Sequence, residues 1–191
     1  MSPAKSDKTE YVSWVDPYIE TNRGRYLFFV TGQTPFGMVG EAPLTRNKNQ
    51  NGGGYNYNEN EILEFSQIHN WMMSGIGIMP ALASTDPTLG TNGWKSKFSH
   101  DDEIVQPGYQ RVYLHNPKTW VELTATERVA FYRFSYITHT ATRLLINLGG
   151  YISNSTMADV DAKKISNTEF EGSFSSVKRY WGGPKDVKVF F

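Results

Sequence analysis

The amino-acid sequence predicts an all-β protein built as an antiparallel β-sandwich. Short apolar or alternating runs recur at about 8–12-residue spacing, and turn residues such as Gly, Pro and Asn separate them. No stretch has a convincing amphipathic helical pattern, although residues 158–164 are long enough for a single helical turn. At 191 residues the chain can bury the core of one domain of ordinary size.

The first half of the chain combines predicted strands with long loops. Pro17 disfavours helical backbone at the residue before it, so a short strand at residues 11–15 is predicted to end in a turn. Residues 45–60, rich in Asn and Gly, are predicted as a long surface loop, and such loops are often functional. The other predicted elements are a buried strand at 27–30, a short strand at 38–39, a strand at 62–68 and a loop at 86–99.

The second half of the chain has a more regular β pattern. Residues 109–115 alternate, with Val112 and Leu114 on one face. Residues 129–137 alternate as well, and this strand sets Phe131 on the face opposite to Tyr132, Phe134 and Tyr136. The remaining predicted elements are a turn at 103–108, strands at 120–124 and 143–148, a hairpin formed by 165–170 and 174–181 around Gly172, and a last strand at 187–191.

The composition excludes several classes of partner and site. The 19 basic and 19 acidic residues give a formal net charge of zero and form no basic stripe, so no nucleic-acid partner is expected. No run approaches the ~18 apolar residues that a membrane helix needs, so no membrane span is predicted. Because cysteine is absent, the chain has neither disulfides nor a thiolate metal site.

The two ends of the sequence suggest how the chain is organised. Residues 1–10 are polar and lack the apolar segment of a signal peptide. We predict a disordered N-terminal tail at residues 1–10, followed by one β-sandwich domain at residues 11–191. The apolar residues 187–191 are typical of a strand but have no turn after them, so we expect the chain to be a fragment of a longer protein.

The most unusual chemistry lies in residues 65–80, where His69 and Trp71 stand two positions apart ahead of several small residues. In an extended segment, side chains at positions i and i+2 project from the same face. The indole would then offer a plate to the C–H face of a sugar ring, and the imidazole would supply hydrogen bonds. A core tryptophan beside a buried structural histidine explains the same pattern, and the local sequence leaves both readings open.

A second candidate is the segment Arg23, Gly24 and Arg25, which precedes a predicted buried strand. An arginine fork can bind hydroxyls or a carboxylate, while a pair of solvated loop charges would have the same sequence. The histidines lack the i, i+4 spacing of a zinc site, and the acidic residues lack EF-hand spacing, so no metal site is predicted in this chain. No carboxylate pair for glycoside hydrolysis can be assigned from the sequence.

A series of short motifs is similar in order and spacing to one known family. From about Tyr11 to its end, the chain resembles the N-terminal domain of the family 92 glycoside hydrolases, which are calcium-dependent exo-α-mannosidases. The motifs that carry this resemblance are Val15-Asp-Pro-Tyr-Ile19, Thr34-Pro-Phe-Gly-Met-Val39, Gly54-Tyr-Asn-Tyr57, Phe65-Ser-Gln-Ile-His69, Lys97-Phe-Ser-His100, Gln106-Pro-Gly-Tyr109 and Glu122-Leu-Thr-Ala-Thr-Glu-Arg-Val129.

The resemblance implies a supersandwich of the galactose-mutarotase-like type, packed in the longer enzyme on a C-terminal (α/α)₆ catalytic barrel. The active site would lie between the two domains, with the acid and base carboxylates of an inverting mechanism on the barrel and calcium helping to distort the mannose ring. The implied substrates are mannose-containing glycans, taken as α-1,2-linked, and the implied location is periplasmic or secreted. The chain alone would hold no catalytic residue and would be inactive.

The same resemblance gives the two candidate segments a role. It implies that His69, Trp71, Arg23, Gly24 and Arg25 bind substrate, while most calcium ligands lie outside this chain. Residues 20–26 and Ser66-Gln-Ile-His69 differ from the family's common Gly- and His-rich loop and Ser-His-Thr-His segment, which indicates a branch with a His-x-Trp motif. A stand-alone carbohydrate-binding module and a purely structural domain are the alternative functions.

Overall fold

The computed structural model describes residues 11–22, 30–45, 54–70, 72–137, 141–149, 151–152, 155–177 and 187–191. Within these ranges only the backbone is described for residues 68–70, 72–75, 151–152 and 155. The predicted N-terminal tail at 1–10, most of the predicted strand at 27–30 and the Gly-rich centre of the loop at 45–60 lie outside the described residues.

Nearly all regular structure in the described residues is β. The helical elements are the single-turn α1 (Thr91–Trp94) and three 3₁₀ helices at Tyr11–Trp14, Pro87–Leu89 and His100–Asp102. The strands are β1 (Ala42–Leu44), β2 (Glu61–Ile62), β3 (Glu64–Asn70), β4 (Met72–Leu82), β5 (Ser96–Lys97), β6 (Glu103–Gln106), β7 (Tyr109–Leu114), β8 (Thr119–Ala125), β9 (Ala130–Tyr136), β10 (Thr142–Asn147), β11 (Tyr151–Ile152), β12 (Ser155–Lys164), β13 (Phe170–Val177) and β14 (Val187–Phe190).

These strands form three four-stranded sheets and one small pair, β2 with β5. The hairpin sheet has the order β1-β3-β4-β10, the meander sheet β6-β7-β8-β9, and the C-terminal sheet β11-β12-β13-β14. Every strand pair in the described residues is antiparallel. The predicted antiparallel all-β class is therefore confirmed. Among the described pairings, β9 and β14 are outer strands, each with one neighbour.

The meander sheet follows from its alternating sequence. Along β7 the burial alternates residue by residue, so Val112 and Leu114 are fully buried while their neighbours are partly exposed. Val121 of β8 pairs with both Val112 and Phe134, which sets one apolar row across three strands. Phe131 is exposed, opposite to the face of Phe134, as predicted.

Two apolar clusters pack on the hairpin sheet. The first joins Phe65 and Met79 of that sheet to Val112, Leu114, Val121 and Leu123 of the meander sheet. The second joins Ala42, Leu44 and Ile76 of the hairpin sheet to Met157, Phe174 and Val189 of the C-terminal sheet. Because β4 supplies Met79 to the first cluster and Ile76 to the second, the hairpin sheet links the two halves of the core.

Several predicted elements between residues 11 and 108 are wrong. Residues 11–14 form a 3₁₀ helix instead of a strand, and Val15 N donates to the carbonyl of Val12 just after it. Met38 is not in a strand, since its amide is taken by the carbonyl of Glu127. Residues 86–99, predicted as loop, contain the Pro87–Leu89 helix, α1 and β5, while β6 occupies most of the predicted turn at 103–108.

Two further corrections concern the C-terminal sheet. Residues 158–164 belong to β12, so they form a strand and not a helical turn. Gly172 lies inside β13 opposite Ala162, and the chain reverses at residues 165–169 instead. A Cβ atom on Gly172 would overlap the carbonyl of Asp161 and the ring of Phe191, so this glycine permits close packing and does not make the turn.

We expect Leu123→Ala to lower the free energy of unfolding by about 2–5 kcal/mol, because it leaves a cavity in the first cluster. Ile104→Ala, at an exposed position of the same sheet, should change it by less than about 0.5 kcal/mol. Denaturant unfolding of both variants measures the difference. Equal effects would show that the cluster does not stabilise the fold.

Candidate functional site

The predicted sugar-binding stretch, residues 65–80, is a β-hairpin. β3 ends at Asn70, β4 begins at Met72, and these two residues are paired in antiparallel register. His69 lies on β3 opposite Met73, close to the reversal. Residue 71 stands between the two strands and lies outside the described residues, so the same-face relation of His69 and Trp71 stays a prediction.

The side chains of the predicted site are not described. Trp71, Arg23, Gly24 and Arg25 lie outside the described residues, and of His69 only the backbone is described. The structure thus places His69 at the distal end of the hairpin but brings no two of the five predicted residues together. These assignments stay predictions. The geometry of the region is therefore described from the neighbouring residues.

A groove of about 840 Å³ opens beside this hairpin. Its hairpin-sheet wall carries Ile76, Ile78 and Ile146, and its polar groups include Gln67, Tyr132 and Arg128. Gln67 lies at an irregularity in the β3–β4 register, between Ser66 and Ile68. The sequence contains the signal for this region, since Gln67 belongs to the Phe65–His69 motif and Arg128 to the Glu122–Val129 motif.

An unusual turn flanks the groove. Gly37 N donates to the carbonyl of Thr34 at 3.0 Å, and Phe36 adopts a left-handed backbone with φ of 60°. Glycine is the residue usually found at such a position, because a Cβ atom makes this backbone costly. The side chains of Phe36 and Met38 are both exposed. The next residue, Val39, lines the groove.

Two glutamates are buried close to the hairpin, and sequence reasoning missed both. Glu64 of β3 crosses over Gly77 and accepts a hydrogen bond from Asn147 Nδ2 at 2.8 Å. Gly77 of β4 pairs with Ser66 of β3 on one side and with Asn147 of β10 on the other. The Glu64 carboxyl can cross β4 at this position because Gly77 has no side chain. Burial raises the pKa of Glu64 to about 7, although the bond from Asn147 partly offsets this.

Glu41 is the second buried acid, and it lies toward the meander sheet. A Cβ atom at position 32 would lie 2.7 Å from Glu41 Oε1, and the glycine at this position therefore leaves space for the carboxyl. Burial raises the pKa of Glu41 to about 7, an effect that its own backbone amide only partly offsets. Burial, and then the charge of Glu41, raise the pKa of Tyr132, a residue that lines the groove. Glu41 is thus coupled to the wall of the groove.

The described residues do not fit a calcium site. Among them there is no group of three or more His, Cys, Asp or Glu side chains that could hold a metal ion. Calcium normally takes six to eight oxygen ligands, several of them charged. Glu41 and Glu64 do not belong to a group of this kind among the described residues, so no chemistry is assigned to calcium here.

The comparison with known proteins decides the family. A family model described as the glycosyl hydrolase family 92 N-terminal domain matches residues 14–191. The chain belongs to this family. The predicted resemblance is thereby confirmed, and the groove and hairpin lie within the matched residues of this family 92 N-terminal domain. No curated protein sequence matches the chain.

Solved structures of this family share the fold. The family GH92 α-mannosidase BT3965 from Bacteroides thetaiotaomicron is 22% identical with a TM-score of 0.81, over 94% of this chain and 25% of its own. The GH92 glycosyl hydrolase ccman5 gives 20% identity and a TM-score of 0.73, over 95% and 26%. The inverting mannosidase BT2199 from Bacteroides thetaiotaomicron VPI-5482 gives 19% and 0.70, over 96% and 24%.

The family 92 domain therefore spans about a quarter of the length of these solved enzymes. At such identities the likeness establishes the fold of the chain. Among the described residues, no helix combines the length and apolar character required to cross a bilayer.

The buried glutamates predict that stability falls as the pH rises. The folded state raises the pKa of each carboxyl from 4.5 to about 7, so it binds this proton more tightly than the unfolded state does. The protonated carboxyl therefore stabilises the fold fully below pH 4.5, and this stabilisation is lost as the pH rises to and through about 7. We expect a loss of about 3 kcal/mol per glutamate across this window. Glu41→Gln and Glu64→Gln should each flatten the profile measured by denaturant unfolding.

Glu122→Gln is the control for that profile. Hydrogen bonds from Arg133 and Tyr109 lower the pKa of Glu122 to about 2, so its contribution is present above 4.5 and lost as the pH falls through about 2. This variant should leave the fall between pH 4.5 and 7 in place. If all three variants keep the wild-type slope, the two buried carboxyls do not titrate as the structure indicates.

Gly77→Ala tests the contact beneath Glu64. The new Cβ atom would overlap the Glu64 carboxyl, which is buried and bonded to Asn147, so we expect a loss of about 1–3 kcal/mol in unfolding free energy. Gly149→Ala is the matched control, because its Cβ atom would meet no atom within 4 Å. Combining Gly77→Ala with Glu64→Ala should give a non-additive loss, and strict additivity would contradict the proposed contact.

Proposed function

We propose that this chain is the substrate-shaping N-terminal domain of an exo-acting α-mannosidase that hydrolyses α-1,2-linked mannosides with inversion. The observation that carries the proposal is the family 92 match over residues 14–191. Two solved relatives that share its fold are named as an α-mannosidase and an inverting mannosidase, which supports the substrate class and the stereochemistry. The linkage rests on the resemblance described above.

In this proposal the end of the β3–β4 hairpin forms one wall of the sugar site. His69 and Trp71 would contact the sugar from that hairpin, and Arg23, Gly24 and Arg25 would line the same site. Support comes from the position of His69 next to the chain reversal and from the groove that begins two residues earlier, at Gln67. An aromatic plate with nearby polar groups suits a ring that has one apolar face and many hydroxyls.

In this proposal the rest of the site belongs to another domain of the same polypeptide. We infer that a C-terminal catalytic domain supplies the acid and base carboxylates and most calcium ligands, and that the enzyme acts on mannose-containing glycans in the periplasm or outside the cell. The chain alone is then one wall of a pocket and has no activity of its own.

Activity assays test this function directly. In the enzyme encoded by the full reading frame, we expect His69→Ala and Trp71→Ala each to lower kcat/KM for an aryl α-mannoside by about 10²-fold, because a misplaced substrate loses its reactive geometry. Trp14→Ala, an exposed tryptophan in the N-terminal 3₁₀ helix, should leave kcat/KM unchanged. Wild-type rates in the two hairpin variants would refute their proposed role.

The isolated chain of 191 residues provides the second test. It should not hydrolyse the aryl mannoside, and calorimetric titration with mannose should show no binding. Turnover by the chain alone would overturn the proposed division of labour. Binding without turnover would favour the stand-alone carbohydrate-binding module.

A further inference from the structure

One face of the meander sheet carries rings and charged groups that the core does not use. Burial alternates along β7, β8 and β9, so every second side chain projects away from the apolar clusters. We call this surface the outer face, and its residues are Ile104, Tyr109, Arg111, Tyr113, Trp120, Glu122, Phe131 and Arg133. The strand register arranges most of them in rows that cross the sheet.

One row of the outer face is charged. Arg111 is the cross-strand partner of Glu122, and Glu122 is in turn the partner of Arg133. Arg133 donates from Nε and Nη2 to the two carboxyl oxygens of Glu122, each at 2.7 Å, and the Tyr109 hydroxyl donates to Oε1 at 2.7 Å. These bonds, first those from Arg133, lower the pKa of Glu122 to about 2, so this acid is ionised and already paired.

The neighbouring row is aromatic. Tyr113 and Trp120 are cross-strand partners whose ring centroids lie 5.1 Å apart, and the ring of His115 lies 5.7 Å from that of Tyr113. Arg111 joins the two rows, because its Cζ atom lies 3.8 Å from the centroid of the Trp120 ring. Trp120 thus supports both the guanidinium of Arg111 and the ring of Tyr113.

The outer face has an excess of positive charge. Its two guanidinium groups stand against one carboxylate, and that carboxylate is bound by Arg133 and Tyr109. In the described hydrogen bonds and ion pairs, no carboxylate accepts from Arg111. Asp102 and Glu127 lie beyond the ends of the strands, before β6 and after β8, while Lys118 adds a positive charge in the turn from β7 to β8.

We propose that the outer face binds an acidic glycan, a chain of sugar rings that carry carboxylate, sulfate or phosphate groups. The ring of Tyr113 would contact the apolar face of one sugar, and the guanidinium of Arg111 would donate paired hydrogen bonds to its anionic group. Charge complementarity selects this occupant over a neutral glycan, because Arg111 has donors and a charge that no described acid takes up. The inference uses no residue of the hairpin or the groove, so it is independent of the proposed mannosidase function.

The spacing of the rows suits such a ligand. Side chains on one face of a strand recur at about 7 Å, so the charged row and the aromatic row are separated by about that distance. One sugar ring and its acidic substituent can span this gap. A chain that continues across the charged row meets Phe131, whose side chain is 64% exposed.

Calorimetric titration of the 191-residue chain tests the ligand class. The probe is a hexasaccharide of β-1,4-linked mannuronate, and β-1,4-linked mannohexaose is its control because it lacks only the carboxylates. We expect the acidic chain to bind at least about tenfold more tightly and to lose affinity as salt is added. Equal affinity for the two sugars, or binding of neither, would overturn the proposal.

Variants locate the binding surface. Arg111→Gln and Tyr113→Ala should each weaken binding of the mannuronate chain by about tenfold, and Arg111→Lys should not restore it, because an ammonium lacks the planar fork. Lys163→Gln on β12 and Tyr11→Ala in the N-terminal 3₁₀ helix are the matched controls, since both positions are exposed and lie outside the outer face. Losses of the same size in the controls would refute the assignment to this surface.

Glu122→Gln tests charge complementarity in the opposite direction. Removing this carboxylate frees Arg133, so the mannuronate chain should bind more tightly while mannohexaose is unaffected. Unchanged or weaker binding of the mannuronate chain would show that charge does not select the ligand.

Two further measurements separate a sugar site from a general anion site. Polyglutamate and oligothymidylate supply anionic groups without sugar acids, and equal binding of either would contradict a glycan site. In the wild-type chain the indole N–H resonance of Trp120, assigned with Trp120→Phe, should shift when the mannuronate chain is added. If Arg111→Gln or Tyr113→Ala does not fold, this wild-type signal decides the question, and an unchanged resonance refutes the site.

Discussion

The antiparallel pairing of β3 with β4 is the constraint on which the rest of the structure depends. These two strands carry Phe65 and Met79 into one apolar cluster and Ile76 into the other, so both halves of the core need the same register. A slip by one residue would exchange the faces of the strands and bury different side chains. The register also sets Ser66 beside Gly77, and that glycine admits the carboxyl of Glu64. The position of the hairpin end, where the sugar site is proposed, follows from this pairing.

Three buried glutamates, Glu41, Glu64 and Glu103, have different electrostatic environments, which the zero net charge of the chain does not reveal. Glu41 and Glu64 are each accommodated by a glycine, and neither has a cationic partner in the described hydrogen bonds and ion pairs, so burial favours their neutral forms. Glu103 has a different environment, because Tyr55 and Gln110 donate hydrogen bonds to its carboxyl and His100 lies beside it. The same residue type thus serves two purposes, and the difference lies entirely in the neighbours that the fold supplies.

Sequence reasoning predicted best where one face of a strand is buried. β7, β8 and β9 were predictable because alternation around Val112, Val121 and Phe134 has a period that only a strand shows. It was wrong about Gly172, because a glycine needed for close packing has the same local signature as one in a turn. The single-turn helices were missed since four residues or fewer carry no helical period.

The site was less predictable than the fold. Asn70 is a weak turn signal, and nothing else in the sequence announces that the chain reverses between β3 and β4. The burial of Glu41 and Glu64 contradicts the ordinary exposure of carboxylates, so only the folded structure reveals it. The pairing of His100 with Glu103 had a signal, because the two residues are three apart at a helix that enters a strand.

The outer strands have a practical consequence for handling the domain by itself. β9 and β14 each pair on one side among the described residues, and both carry an exposed aromatic side chain, Phe131 and Phe190. Open backbone groups beside exposed rings are the surface on which a strand from another molecule can add. We therefore expect the isolated domain to self-associate at high concentration, and charged residues introduced at these two edges to reduce that association.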